Sequence, residues 1–134
     1  MNEQVKDIWV KALRSSDYTQ GRLFLHLAET KHTPESFCCL GVLCDLSLKN
    51  SSLPIIRTVN EEEGIVRYDR SSEGLPLSVM SWAELKFSNP DVTVVDDSKE
   101  WHQKSKTTSL AELNDGGASF SKIADIIEKN WEDM

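Results

Sequence analysis

Hydrophobic residues recur with helical spacing near the start of the chain. The apolar positions lie three and four residues apart, at Val5, Ile8, Trp9, Ala12 and Leu13. Charged residues, among them Lys6, Asp7 and Lys11, occupy the other face. This period predicts an amphipathic helix over residues 3–14, with Asn2 as its N-cap.

A second apolar segment has almost no polar side. It runs from Phe37 to Leu48 and is interrupted only by Gly41, Asp45 and Ser47. The pattern predicts a helix that is capped by Ser36 and runs to about residue 49 at the centre of the fold, because a helix that is apolar nearly all round is normally buried. Gly41 inside it indicates close approach of another backbone.

Shorter patterns predict the remaining elements. Leu23, Leu25 and Leu27 alternate with their neighbours, which favours a short strand and leaves a helix as the alternative. Further along the chain we expect strands over 55–59 and 65–68 joined by loop 60–64, a helix over 76–86, a strand over 92–95, a mobile loop or exposed hairpin tip over 96–107, a short strand at Leu110 and Leu113, a turn over 114–117, and a last helix over 119–131 capped by Ser119.

These elements predict an α+β fold in one globular domain over residues 1–134. About four helices surround the buried central helix, with a small, mainly antiparallel sheet or hairpins. The helices and strands do not alternate regularly enough for parallel crossover units. The longest apolar run is shorter than the roughly 20 residues that a membrane-spanning helix needs, so we expect no membrane partner.

Charge is unevenly distributed along the chain. The net charge is -7, and residues 51–134 carry all of it, with 16 acidic and nine basic residues. A protein this acidic without a basic stripe is a poor nucleic-acid binder, so we expect no nucleic-acid partner. The acidic half suits a basic protein surface, although acidic residues also simply keep small proteins soluble.

The three cysteines, Cys38, Cys39 and Cys44, lie inside the apolar segment. Their spacing, with His26 and His32 nearby, lacks the paired pattern of a zinc site, so we expect packing atoms and no metal or cofactor. The alternative is a thiol enzyme that uses Cys39. Such a nucleophile needs a lowered thiol pKa, whereas apolar neighbours raise it.

Other candidate groups lie in charged segments. His102 is a candidate general acid or base, although a solvated histidine is the simpler interpretation. The runs Asp96–Asp97 and Glu61–Glu63 carry the oxygen ligands that divalent cations prefer, but they lack the spacing of a calcium loop. We interpret them as solvated charge.

The segment that leads into the last helix has the character of an anion site. Free backbone N–H groups at a helix start bind anions, and basic side chains would assist them. The residues of this predicted ligand site are Arg14, Arg22, Asn114, Gly116, Gly117 and Ser119. The segment lacks a phosphate-loop lysine, and Asp115 would repel phosphate, so a purely structural helix cap is the alternative.

Three stretches of sequence resemble a group of small bacteriophage-encoded accessory proteins. They are Trp9–Ser15, Phe37–Leu46 and Leu113–Glu128, which read WVKALRS, FCCLGVLCDL and LNDGGASFSKIADIIE. Residues 51–108 match little and form a variable middle segment. The resemblance implies a cytoplasmic protein made in an infected bacterium, of a kind that often binds host factors.

Two hypotheses assign a binding function to the protein. The first is a non-enzymatic protein that engages a host protein in host takeover or counter-defence. Its partner-binding residues are predicted in the polar segment, at Asp96, Asp97, Glu100 and Trp101. The second is a protein that binds or sequesters a small anionic ligand or nucleotide at the predicted anion site.

A third hypothesis is a small hydrolase or thiol enzyme that uses Cys39 or His102. Self-association through Trp101 and Trp131 is a further expectation, because exposed tryptophans often anchor interfaces. The sequence contains no nucleophile elbow or paired catalytic carboxylate, so we favour a binding protein over an enzyme.

Overall fold

The first helix forms as its periodicity predicts. In the computed structural model, which describes residues 1–96 and 104–134, this helix, α1, spans Glu3–Arg14. The Asn2 side chain accepts a hydrogen bond of 3.0 Å from the backbone N–H of Val5. Trp9 and Leu13 are buried, so the predicted helix and its cap are confirmed.

The apolar helix, α2, spans Cys39–Asn50 and lies at the centre of the core. Its N-cap is Cys38, so the prediction of Ser36 was wrong: the backbone stays extended through Ser36, which is paired in a strand. A methyl group added at Gly41 would overlap the carbonyl oxygen of Leu25. The predicted close approach of another backbone at Gly41 is therefore confirmed.

Four short strands form an antiparallel sheet beside α2. They are β1 (His26–Leu27), β2 (Ser36–Phe37), β3 (Arg57–Val59) and β4 (Ile65–Tyr68). Their order is β2-β1-β4-β3, so β3 lies at an edge. The hairpin predicted around loop 60–64 is confirmed, but its first strand is shorter than the predicted 55–59. The strand predicted over 23–27 is reduced to His26–Leu27, and Leu23 stays 66% exposed in a left-handed conformation.

The second half of the chain supplies a helix, a hairpin and two more helices. They are α3 (Leu77–Ala83), β5 (Asp91–Asp96), β6 (Lys104–Ser109), α4 (Leu110–Asp115) and α5 (Phe120–Asn130), followed by a 3-10 turn over Trp131–Asp133. Strands β5 and β6 pair antiparallel along their full length. The predicted strand over 92–95 is thus confirmed. Of the segment 96–107, predicted as a mobile loop or an exposed hairpin tip, Asp96 and residues 104–107 belong to the two strands of a hairpin, and residues 97–103 lie outside the described residues.

Two predictions in this half, one of a strand and one of a helix, need correction. The strand predicted at Leu110 and Leu113 was wrong, because the Ser109 hydroxyl accepts a hydrogen bond from the Glu112 N–H and caps helix α4. The helix predicted over 76–86 ends at Ala83, where Glu84 turns into the left-handed region. The cap predicted at Ser119 is confirmed, since its hydroxyl accepts from the Lys122 N–H.

The α+β class is confirmed, with five α-helices and two small antiparallel sheets among the described residues. Helix α1 packs between α2 and α5. None of the helices in the described ranges combines the length and apolar character needed to cross a membrane.

Candidate functional site

A buried histidine lies where the short strands meet. His26 on β1 pairs with Phe37 on β2 and with Val66 on β4. Directly paired residues share one face of a sheet, and so does the residue two positions along a strand. The His26 ring therefore stacks on Phe37 with ring centroids 3.9 Å apart, and the Tyr68 hydroxyl lies 2.9 Å from His26 Nδ1.

The second ring nitrogen of His26 contacts an acid at the surface. Its Nε2 lies 2.9 Å from Oε2 of Glu35, whose side chain is 53% exposed. Burial lowers the pKa of His26 below its ordinary value, and the neighbouring Glu35 offsets only part of this effect. A neutral ring then donates from Nε2 to the carboxylate, which can only accept, and Nδ1 accepts from the Tyr68 hydroxyl.

A basic residue lies beside the hydrogen-bonded row that Tyr68, His26 and Glu35 form. Arg57 on the edge strand β3 is the register partner of Tyr68, so its side chain lies on the same face of the sheet. Burial raises the pKa of Tyr68 far above its usual value, and the nearby Arg57 guanidinium offsets part of that rise. Tyr68, His26 and Glu35 thus form a hydrogen-bonded row with an anion at one end, and Arg57 lies on the strand beside the Tyr68 end.

A second polar cluster lies beside the row, between the residues that follow α1 and the last turns of α2. Asp45 and Lys49 form an ion pair of 2.8 Å one helical turn apart. The Tyr18 hydroxyl donates to Asp45, and the Tyr18 ring meets Phe37 edge-on with centroids 4.9 Å apart. Burial, followed by the hydrogen bond to Asp45, raises the pKa of Tyr18 to about 12.

Together the two clusters line an open cleft of about 540 Å³. The size falls in the range of small-molecule sites. Its apolar wall comes from Ile8, Ala12 and Leu46 on helices α1 and α2, and Phe37 closes the inner end. The charged lining residues are Lys11, Lys49 and Arg57 with Asp17, Glu35 and Asp45, so the two signs are equal in number.

Sequence reasoning missed this cleft. It considered His26 only as a metal ligand and assigned no role to Tyr18, Glu35, Arg57 or Tyr68. One signal was present: a histidine within an alternating apolar segment is a buried polar group that needs hydrogen-bond partners. The partners themselves lie up to 42 positions away, so their identity was not readable from the sequence.

The residues of the predicted anion site occupy two separate places. Arg22 approaches Gly117, since its guanidinium would lie 3.6 Å from a methyl group at Gly117. Arg14 instead bridges Asp125 and Glu128 on α5, at 2.6 and 2.8 Å. The site is therefore not assembled with Arg14, and ligand binding at the other residues stays a prediction.

Two backbone donors at the start of α5, the N–H groups of Phe120 and Lys122, are already engaged. Gln20 Oε1 accepts from the Phe120 N–H, and the Ser119 hydroxyl accepts from the Lys122 N–H. Asn114 is fully buried, where its Oδ1 accepts from Gln20 and from the Cys39 N–H and its Nδ2 donates to the Gly21 carbonyl. These contacts give Asn114 and Ser119 a structural role.

The predicted partner-binding segment follows β5. Asp96 is the last residue of that strand, whereas Asp97, Glu100, Trp101 and the candidate acid or base His102 lie outside the described residues. Val95, immediately before them, is 54% exposed. Trp131, the other predicted anchor for self-association, is partly buried against the core, where Lys6 lies 5.0 Å from the centre of its ring.

All three cysteines are buried, which confirms that they pack in the core. Burial raises the pKa of Cys38 to about 11, although the Gly41 N–H partly offsets the effect. Burial likewise raises the pKa of Cys39 and Cys44. A thiolate nucleophile needs the opposite shift. Among residues 1–96 and 104–134, no three His, Cys, Asp or Glu side chains are grouped to hold a metal ion.

The fold and the cleft define a small α+β domain in which a charged cleft opens beside a buried central helix. The chain belongs to a family described as a domain of unknown function (DUF8296), whose model matches residues 1–131. Comparison with curated proteins and with solved structures gave no significant match.

Proposed function

We propose that this protein is a non-enzymatic binding protein that takes a small polar ligand into the cleft between Tyr18 and Arg57. The observation that supports the proposal is the ordered set of polar groups that converge there against an apolar wall. Sites of this size with a few fixed polar groups are the usual form of small-ligand sites.

The hydrogen bonding within the cleft favours binding over catalysis. Both ring nitrogens of His26 are occupied, by Tyr68 and Glu35. Tyr68 is fully buried, and its raised pKa makes it a poor nucleophile and a poor acid. A general base needs a free lone pair within reach of a substrate proton, and the row leaves none on the imidazole.

A ligand panel tests the proposal. Thermal unfolding of the full chain is measured with nucleotides, amino acids, sugars and carboxylic acids, and each hit is confirmed by calorimetry. A ligand at 100 times its dissociation constant should stabilise the protein by about 2.7 kcal/mol. Ala12→Phe, which fills the cleft, should abolish that shift, whereas the control Ser16→Phe, exposed just beyond α1, should preserve it.

Two outcomes would count against the proposal. One is a panel without any stabilising compound. The other is a ligand whose affinity is the same for the wild type and for a folded Ala12→Phe variant, since this would place the binding elsewhere on the surface.

A second candidate function is binding of a host protein, and it follows from the resemblance to bacteriophage accessory proteins. We propose for this case a protein encoded by a phage, located in the cytoplasm of the infected bacterium, that modulates a host factor during host takeover or counter-defence. The exposed Val95 at the end of β5, next to the acidic segment that contains Trp101, favours contact at this end of the hairpin.

Capture from a host lysate tests the second candidate. A specific partner should be retained by the wild type and lost with Trp101→Ala or with the charge reversal Glu100→Lys. Lys86→Ala, an exposed change outside the hairpin, is the matched control. Equal recovery with all four proteins would argue against contact at the hairpin.

A further inference from the structure

The positions of the acidic and basic side chains in the cleft indicate the chemical class of the ligand. Glu35 stands at one end of the hydrogen-bonded row through His26 and Tyr68, and Arg57, the register partner of Tyr68, lines the same cleft beyond the other end. Glu35 directly precedes β2 and Arg57 lies on β3, and these two strands are the opposite edges of the sheet, so the anion and the cation are held apart.

Glu35 retains binding capacity towards solvent. Its Oε2 is engaged by His26, and the side chain is 53% exposed. In the part of the chain that the structure describes, its Oε1 makes no hydrogen bond. An ionised carboxylate offers about four acceptor positions, so the remaining ones suit a cationic donor such as an ammonium group.

Arg57 offers the complementary group. It is exposed on β3 and makes no ion pair within residues 1–96 and 104–134. A guanidinium carries five N–H donors in one plane, and their geometry matches the two oxygens of a ligand carboxylate. Two of the other charged lining residues, Asp45 and Lys49, form an ion pair with each other at 2.8 Å.

The balance of charge argues against a ligand of a single sign. Three basic and three acidic side chains line the cleft, so no net field attracts anions over cations. A ligand with one charge would meet one attractive and one repulsive group at the two ends of the row. A ligand with both charges, correctly oriented, meets two attractive ones.

We propose that the cleft recognises a zwitterion, whose ammonium group binds Glu35 and whose carboxylate binds Arg57. This inference rests on the proposed ligand-binding function of the same cleft. The row between the two end groups favours a molecule whose charges are separated by several bonds, such as a dipeptide or an ω-amino acid, over a short α-amino acid.

Calorimetric titration of the full chain with matched compounds tests the proposal. The zwitterions are glycine, glycylglycine and 6-aminohexanoate, and the singly charged analogues are hexanoate and hexylamine. The longer zwitterions should bind at least about tenfold more tightly than glycine or either analogue, because two charge-assisted hydrogen-bond sets form instead of one.

Four variants locate the two contacts. Glu35→Gln and Arg57→Gln should each remove the preference for the zwitterion over one analogue: over hexanoate for Glu35→Gln, and over hexylamine for Arg57→Gln. Glu29→Gln and Arg70→Gln change the same residue types outside the cleft and should leave both preferences unchanged. Circular dichroism verifies that each variant is folded.

The possible results distinguish the zwitterion assignment from the ligand-binding function on which it rests. Binding of another compound class that Ala12→Phe abolishes, without any preference for zwitterions, would overturn the zwitterion assignment and leave the ligand-binding function standing. Failure of every compound in this series and in the wider panel would overturn both. A zwitterion preference that survives both Glu35→Gln and Arg57→Gln would also refute the assignment.

Discussion

The thiols of Cys38, Cys39 and Cys44 are sealed within the core, and the environment of each one disfavours ionisation. Burial removes the water that would stabilise a thiolate, so the pKa of each thiol rises. The thiolate is the reactive form, and a buried thiol is also sterically shielded. These cysteines therefore serve as small packing groups.

We expect the native protein to resist Ellman's reagent. Few thiols should react while the chain is folded, and all three should react at once in concentrated guanidinium chloride. Absorbance of the released thionitrobenzoate measures both rates. Fast labelling of the folded chain would contradict the packing role and reopen the thiol-enzyme hypothesis.

His26 makes stability dependent on pH. Its pKa in the folded chain lies below the ordinary value of 6.5, because burial disfavours the imidazolium while Glu35 and Asp45 offset only part of the effect. As the pH falls below 6.5, the unfolded chain takes up a proton that the folded chain resists. Folding free energy should therefore be lost over this range and regained above it.

Urea denaturation on either side of pH 6.5 measures this dependence. The slope of stability against pH should be smaller in His26→Gln, whereas His32→Gln, an exposed histidine, should retain the wild-type slope. An identical slope in His26→Gln and the wild type would show that other groups cause the pH dependence.

At the level of elements, the contact between α2 and the sheet depends on Gly41. The Leu25 carbonyl oxygen occupies the space that a side chain would need, and the same oxygen accepts a hydrogen bond of 3.1 Å from the Cys38 N–H. The carbonyl is thus fixed from one side by the helix start and meets the glycine on the other. Neither backbone can retreat without breaking this bond.

Gly41→Ala should destabilise the protein, although alanine is the better helix former by about 1 kcal/mol. Overpacking of this kind costs typically about 1–3 kcal/mol, and here the obstacle is backbone, so we expect the upper end or a failure to fold. Chemical denaturation gives the difference in stability. In the control Gly74→Ala the added methyl would meet the Ser88 side chain at 3.5 Å, an ordinary contact, and should have little effect.

At the scale of the whole molecule, Asn114 joins parts of the chain that are distant in sequence. Its side chain bonds to Gln20, to the Gly21 carbonyl and to the Cys39 N–H, which lie 94, 93 and 75 positions away. The link ties the end of α4 to the start of the central helix and to the turn before β1. The ion pairs of Arg14 with α5 also join residues that are distant in sequence, but they lie at the surface.

Asn114→Ala should therefore be far more destabilising than Arg14→Gln. It leaves the Cys39 N–H and the Gly21 carbonyl without their partner in the interior, and each such group costs about 1–3 kcal/mol. Exposed ion pairs contribute little, so Arg14→Gln should change the midpoint of urea denaturation only slightly. Equal losses from the two substitutions would contradict this ranking.

Local periodicity determined the elements that bury a continuous face. Helix α1, the apolar helix α2 and the Ser119-capped α5 were all predictable, because each pattern extends over three or more turns and matches only one structure. The burial of the cysteines followed from the same pattern. Short elements were not determined in this way, since the few residues around Leu110 satisfy both a strand and a helix until the Ser109 cap decides.

The sequence alone therefore fixed the helices that form the core and the α+β class, because both depend on neighbours within a few positions. Tertiary structure decided where the cleft lies. His26 reaches Tyr68 over 42 positions and Tyr18 reaches Asp45 over 27, and only sheet register and helix packing bring such groups together. A hydrogen-bonded row of this kind arises from the geometry of several elements at once, so no local pattern in the chain encodes it.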